Sequence, residues 1–325
     1  MVVDPTGGGT TTPAEGVHNY PENEVVSISA TPATGYTFDH WIGDVADVNA
    51  ASTTVTMDAD QTVTAHFIGI SHDLTMAVDP VGGGTTDPPV GVHPYAENFV
   101  VDLIATPEAG FAFDHWTGGV ADENSATTTV TMDADKTVTA HFVDIAPPDT
   151  SITAHPDDPS NSADASFSFT STEAGSTFEC QLDGGGFSAC TSPQAYTSLS
   201  NGAHTFDVRA IDAASNVDPT PASYSWTIDT VPPDTILTAQ PDDPSWSTEA
   251  SFSFNSNEAV ATFECQLDGG GFSACTSPQA YSGLAYGEHT FEVQATDAAG
   301  NLDPTPASYS WTIKRPIFLP MVSKP

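Results

Sequence analysis

Four cysteines, two Asp-His dipeptides and two acidic loops are the features of this 325-residue chain whose residue types and spacing can do chemistry. The cysteines fall as Cys180/Cys190 and Cys265/Cys275, each pair ten apart around an LDGGGF turn. With Gly184–Gly186 as a three-residue loop, Asp183 faces Phe187, Leu182 faces Ser188, Gln181 faces Ala189 and Cys180 faces Cys190. The same count sets Cys265 against Cys275. Directly opposed strand residues have Cα atoms about 4.5–5.5 Å apart, within disulfide range. Four free thiols or a zinc site are the rival reading, but zinc sites favour closer cysteine spacing and shared ligands. Two disulfides, each inside its own module, are therefore expected, and with them an oxidising compartment.

Asp39-His40 and Asp114-His115 invite a general-base reading. Neighbouring strand residues point to opposite faces, so no Asp–His hydrogen bond is expected within either pair. No G-x-S-x-G nucleophile motif lies nearby. A structural role is expected, and no catalytic residue is assigned. Trp41 and Trp116, next in each FDHW stretch, read as core residues rather than sugar-stacking faces. Among the acidic loops, DAASNVD places Asp212, Asn216 and Asp218 close together, and DAAGNLD does the same for Asp297, Asn301 and Asp303. Such oxygens suit Ca²⁺, which takes about six to eight of them, and Asp229 and Asp234 near the junction could add more. Asx-turns account for the same residues without metal. Calcium is thus the one candidate cofactor. Gly7–Gly9 and Gly82–Gly84 lack a following Lys-Ser/Thr and read as turns, not phosphate loops.

These residues sit on a strongly acidic scaffold. Five Lys+Arg stand against 43 Asp+Glu, for a formal charge of −38, which repels nucleic-acid phosphates and anionic lipid headgroups. Hydrophobic residues make up 38%, enough to build cores, so the chain is not a disordered acidic tail. No apolar run approaches the ~20 residues of a membrane-spanning helix. The opening MVVDPTGGG lacks the basic start and apolar stretch of a signal peptide.

Self-comparison organises the chain. FDHW at Phe38 returns at Phe113, TMDAD at Thr56 returns at Thr131, and GVH at Gly16 returns at Gly91, all with one constant offset. A different unit, FECQLDGGGFSACTSPQAY at 178–196, returns unaltered at 263–281. Four modules follow in the order A–A–B–B: 1–69, 70–145, 146–229 and 230–314, with 315–325 as a C-terminal tail. Met1 aligns with Met76, which Leu74 and Thr75 precede. The first A module is accordingly read as N-terminally truncated, with Met1 not the natural start. Every module alternates with period two, as in Val26, Ile28, Ala30 or Phe206, Val208, Ala210, and turn signals separate the runs. The expected fold class is all-β: two small A modules of about five strands each, then two immunoglobulin-like sandwiches, with antiparallel sheets throughout. Prolines at 147–148 and 232–233 stiffen the module starts, so an elongated, semi-rigid rod is expected.

The A units, with ATPATGYTFDHWIGDV followed by VTMDADQTVTAHF, resemble the divergent internalin B-type repeats of bacterial surface and secreted proteins. The B units, with FECQLDGGGFSACTSP and HTFDVRAIDAASNVDPTPASYSWTI, resemble bacterial immunoglobulin-like repeats, and their acidic loops resemble adhesin loops, some of which bind calcium near module junctions. The resemblance implies an extracellular or cell-surface location and a spacing, display or adhesive role, with no catalytic residues to carry over. The expected function is a non-enzymatic spacer array that displays or links a functional domain of a larger protein. The alternative is an adhesin contacting surface glycans, stabilised by calcium. The chain is expected to be monomeric, with no nucleic-acid partner and no membrane span. LPMVS at 319–323 lacks the Thr-Gly of a sortase signal and no hydrophobic span follows, so an extra edge strand or a flexible end is expected there.

Overall fold

The computed structural model describes residues 1–317; the LPMVS segment and Lys324 lie outside the described residues. The chain folds as two compact units, one of residues 1–146 and one that starts at Pro147. Strands supply the regular structure, with no α-helix among the described residues. Each unit holds two separate hydrophobic clusters, so four cores stand in series, each drawn from its own stretch of sequence.

In the first unit, alternation decides what faces inward. Along Val25–Pro32, Val26, Ile28 and Ala30 are buried while Val25 and Ser27 face out. Val101, Leu103 and Ala105 repeat the pattern along Val100–Pro107. Trp41 and Trp116 close the two cores at 1% and 0% exposure, in line with the core expectation. Each indole N–H donates to a backbone carbonyl, Ala50 for Trp41 and Ser125 for Trp116, both at 3.0 Å. The second copy has seven strands among the described residues, in sheets of four (Gly91–Ala96, Ser71–Asp79, Lys136–Asp144, Phe111–Thr117) and three (Gly84–Asp87, Val100–Pro107, Thr127–Thr131).

Two features of this unit correct the expected antiparallel, five-strand design. The first strand of each copy runs parallel to the last: Val2–Asp4 beside Thr64–Gly69, and Ser71–Asp79 beside Lys136–Asp144. The whole module serves as the long crossover that parallel pairing requires. The glycine runs also do more than turn. A Cβ on Gly84 would lie 2.3 Å from the Phe142 ring and 2.7 Å from the Thr106 carbonyl. Only a residue without a side chain lets that strand cross Phe142.

In the second unit each module is an antiparallel sandwich of three and four strands, as expected. In the first, Thr150–Ala154, Ala165–Ser171 and Gln194–Tyr196 face Ser188–Cys190, Thr177–Leu182, Gly202–Ile211 and Ala222–Ile228. Phe167 and Phe206 stack at 4.1 Å between ring centres, and Trp226 meets Phe167 edge-on at 5.1 Å. Phe252, Phe291 and Trp311 repeat this arrangement.

Both disulfides are present, Cys180–Cys190 and Cys265–Cys275, each with Cα atoms 5.8 Å apart. The hairpin register differs from expectation. Cys180 lies opposite Ser188 and Cys190 opposite Phe178, so the bridge runs diagonally. The cause is the Asp183-Gly184 pair. Both residues have positive φ, 51° and 71°, and Gly185 N–H donates to Leu182 C=O at 2.9 Å. This is a type I′ turn, for which Asp-Gly is a strong signal. It turns the chain one residue earlier than a Gly184–Gly186 loop would. Closing so short a loop contributes up to about 3 kcal/mol in the chain-entropy model, and less in an already local hairpin.

Candidate functional site

A β-bulge builds the first candidate site. Phe38 pairs with Phe67 and His40 with His66, leaving Asp39 as the extra residue. A bulge breaks strict alternation, so Asp39 and His40 turn to the same side, and Asp39 Oδ2 lies 2.8 Å from His40 Nδ1. The second copy has the same bulge and an Asp114–His115 contact of 2.9 Å. These contacts overturn the expectation that neither pair can hydrogen-bond. The strand argument failed because it assumed regular pleating.

Asp39 Oδ2 also lies 3.2 Å from Nδ1 of His66, on the neighbouring strand Thr64–Gly69. Asp4, from the parallel first strand, brings a carboxylate oxygen within 3.8 Å of the other His66 nitrogen, Nε2. The His40 hydrogen bond, aided by His66, holds the Asp39 carboxyl below its ordinary value despite some burial. The cluster is partly open, with the side chains of Asp39, His40 and His66 at 37%, 40% and 31% exposure. In the second copy, His141 is turned the other way. Its Nδ1 lies 3.3 Å from Asp79 and its Nε2 3.1 Å from Thr117 Oγ1. His115 and His141 stack at 4.5 Å.

The DAASNVD and DAAGNLD residues divide into two roles. Asp218 and Asp303, each 2% exposed, are anchors. Asp303 Oδ2 accepts from Thr235 N–H at 2.9 Å, and Oδ1 accepts from the Thr305 amide and hydroxyl. Asp218 treats Thr150 and Thr220 the same way. In both, burial pushes the carboxyl up, but the threonine hydrogen bonds together, Thr150 then Thr220 for Asp218 and Thr235 then Thr305 for Asp303, outweigh it and hold the carboxyl below its ordinary value. Asp212 and Asp297 instead accept from the amide and side chain of Asn216 and Asn301 in closed Asx loops. The six residues thus do not converge on one point. Asp297 does come together with Asp229 and with Glu258, their carboxylate oxygens all within 4.8 Å. Asn301 braces this corner by donating to the Asp229 carbonyl at 2.7 Å. Burial, with repulsion from Asp297 and Asp229, pushes the Glu258 carboxyl up. Asp234 stays out of the triad; its amide donates to Asn257. Glu258 was not foreseen, although its counterpart Glu173 in the preceding module marks it as part of the repeat.

A second pair also escaped sequence reading. His204, 8% exposed, lies 2.8 Å from both Asp183 Oδ2 and the Ser200 carbonyl. His289 repeats this with Asp268 and Ala285. The Ser200 carbonyl, then Asp183, raises the His204 pKa; for His289 the Ala285 carbonyl and Asp268 overcome burial to raise it as well. Asp183 and Asp268 are lowered, because threonine amides and the histidines outweigh burial. The histidine contribution is complete below about pH 6.5, the unfolded value, and is lost as pH rises through the raised folded values. The aspartate contribution is present above about pH 4 and is lost as pH falls through the lowered values. The melting temperature of the second unit is therefore expected to peak in mild acid and to fall as the solution turns alkaline. A His204→Gln/His289→Gln variant is expected to flatten that fall in a pH series of thermal melts; an unchanged slope would reject the assignment.

A cleft of about 560 Å³ lies elsewhere, lined by Met1, Val17, Tyr20, Val26 and Met57 among others. In the second copy Leu74 and Met76 are fully packed in the corresponding core. No helix among the described residues is long and apolar enough to cross a membrane.

A family model described as the divergent InlB B-repeat domain matches residues 1–71 and again residues 74–146. No curated protein matches the chain. Among solved structures, the fibronectin(III)-like modules of CbhA from Clostridium thermocellum are 17% identical, covering 51% of this chain and 94% of theirs, with a TM-score of 0.34. The FN1–FN3 domains of chicken CNTN1 are 8% identical, covering 91% of this chain and 96% of theirs, also with a TM-score of 0.34. The chain is an array of β modules: residues 1–146 contain two copies of one unit, each similar to that repeat, and the part that starts at Pro147 contains two disulfide-closed sandwiches.

Proposed function

We propose that this array is a non-enzymatic extracellular spacer of a bacterial secreted or surface protein, whose work is to hold a functional domain away from its anchor. The observation that carries this reading is the series of four separate cores made from two duplicated modules. Duplication adds length or avidity more readily than it adds a single active site. The two disulfides support an oxidising location. The paired prolines 147–148 and 232–233 limit backbone freedom at the module starts.

The test is to display one reporter domain on a cell surface through the full array and through arrays lacking residues 70–145 or 146–229. Access of a bulky antibody to the reporter is expected to fall as modules are removed; equal access at every length would refute the spacer. Exposed aromatic side chains favour a second reading, an adhesin. Trp246 is 65% exposed, and Phe99, 52% exposed, stacks on Tyr95. Glycan binding abolished by Trp246→Ala or Phe99→Ala would replace the spacer with that reading.

A further inference from the structure

We propose that the first A module binds one divalent cation of borderline softness, such as zinc, through Asp39 Oδ2, His40 Nδ1 and His66 Nδ1. Zinc favours imidazole nitrogen and carboxylate oxygen, and with bonds of about 2.0–2.2 Å a tetrahedral ion holds its ligand atoms roughly 3.4 Å apart. The contacts from Asp39 to the two imidazoles, 2.8 and 3.2 Å, lie just inside that spacing. Each of the three residues brings a ligand atom within 4.8 Å of the other two. Small rotations of two imidazoles that are roughly a third exposed would open the triangle to the ion.

Asp4 has a different part. It sits beside Nε2 of His66, the nitrogen that points away from the ion. A metal-bound histidine commonly donates its outer N–H to a carboxylate, which fixes the ring and strengthens the ligand. Three protein ligands leave a fourth position for water. Two imidazoles among three ligands disfavour calcium and magnesium, which take oxygen.

The duplicate does not bind as it stands, and a single residue explains why. Ile42 in the first copy corresponds to Thr117 in the second, each following its FDHW stretch directly. Thr117 Oγ1 holds His141 Nε2 while Asp79 holds Nδ1, so neither nitrogen is presented to Asp114. Isoleucine offers His66 no such hydrogen bond, leaving it free to turn Nδ1 towards Asp39.

Titration of ZnCl₂ into the tag-free full chain at neutral pH is expected to show one saturable equivalent by calorimetry. Imidazole NMR signals of His40 and His66 are expected to shift, with those of His115 and His141 unmoved. His40→Gln and His66→Gln should each weaken binding at least about tenfold, and Thr117→Ile should add a second equivalent. The proposal is overturned by the absence of a saturable equivalent, or by glutamine variants that bind as the parent does. Loose binding to the acidic surface would give that second result. A glutamine variant that loses its fold, seen by circular dichroism, hands the decision to the parent spectra: zinc shifts confined to other histidines overturn the site. A Thr117→Ile chain that still binds one equivalent overturns the account of the second copy.

Discussion

Trp116→Ala is expected to cost about 3–5 kcal/mol, the usual range for deleting a fully buried large aromatic. A domain of about 75 residues holds only roughly 4–11 kcal/mol in total, so most or all of the second module's stability would go. Trp116 is fully buried, packs against Phe113 at 5.7 Å and donates its indole N–H to Ser125. Trp116→Phe keeps part of the ring but strips the Ser125 carbonyl of its donor, so about 1–3 kcal/mol should remain lost. Trp226 and Trp311 supply the comparison, because their indole N–H groups have no hydrogen-bond partner among the described residues. Trp226→Phe should therefore cost less than Trp116→Phe. Urea unfolding followed by near-UV circular dichroism measures all three. A Trp116→Ala loss below about 1 kcal/mol, the size of an average substitution anywhere in a protein, would show that the core is not packed as described.

Asp303→Ala carries the second large effect, about 2–4 kcal/mol in the fourth module. The carboxylate is almost wholly buried and accepts from Thr235 and twice from Thr305. Removing it takes the acceptor from all three donors at once, and hydrogen bonds to charged groups are worth more than neutral ones. Asp303→Asn is the sharper variant. It preserves shape, but its amide can turn only one oxygen towards donors that now meet both, so most of the loss should remain. Asp218→Asn should repeat the result in the third module through Thr150 and Thr220. Calorimetry of the full chain reads both. An Asp303→Asn chain that melts with the parent would remove the anchoring role. The sign with pH follows from the lowered carboxyl values of both aspartates. Their contribution is present above the unfolded value and disappears as acid takes the pH down through the folded one.

How far the sequence could be read depended on whether a feature was periodic. Repeats, strand alternation and buried tryptophans are periodic, and each left a clear mark: Val26, Ile28 and Ala30 declare an inward face before any coordinate is known. The features that shape the sites are local breaks in that period. The extra residue at Asp39 cannot be told from a regular strand position by alternation alone, so the Asp39–His40 contact was ruled out. The disulfide pairs followed from spacing, yet the register followed from turn chemistry: Asp183-Gly184 outranks the longer glycine run. The calcium candidates were collected by closeness in sequence, whereas the fold sorts them by direction, with Asp303 turned into the core and Asp297 out towards Asp229. Parallel pairing of each A module's first and last strands joins segments from opposite ends of the module, beyond anything that local patterning encodes.

That pairing bears on how each A module would answer a pull on its two ends. Because Ser71–Asp79 and Lys136–Asp144 are neighbours that run the same way, the chain enters this strand pair at one end and leaves it at the other. Tension along the polypeptide then slides the two strands past each other and loads the bonds from Leu74–Lys136 to Asp79–His141 together. An antiparallel hairpin gripped at its open end would peel bond by bond. The second A module is therefore arranged as a shear clamp.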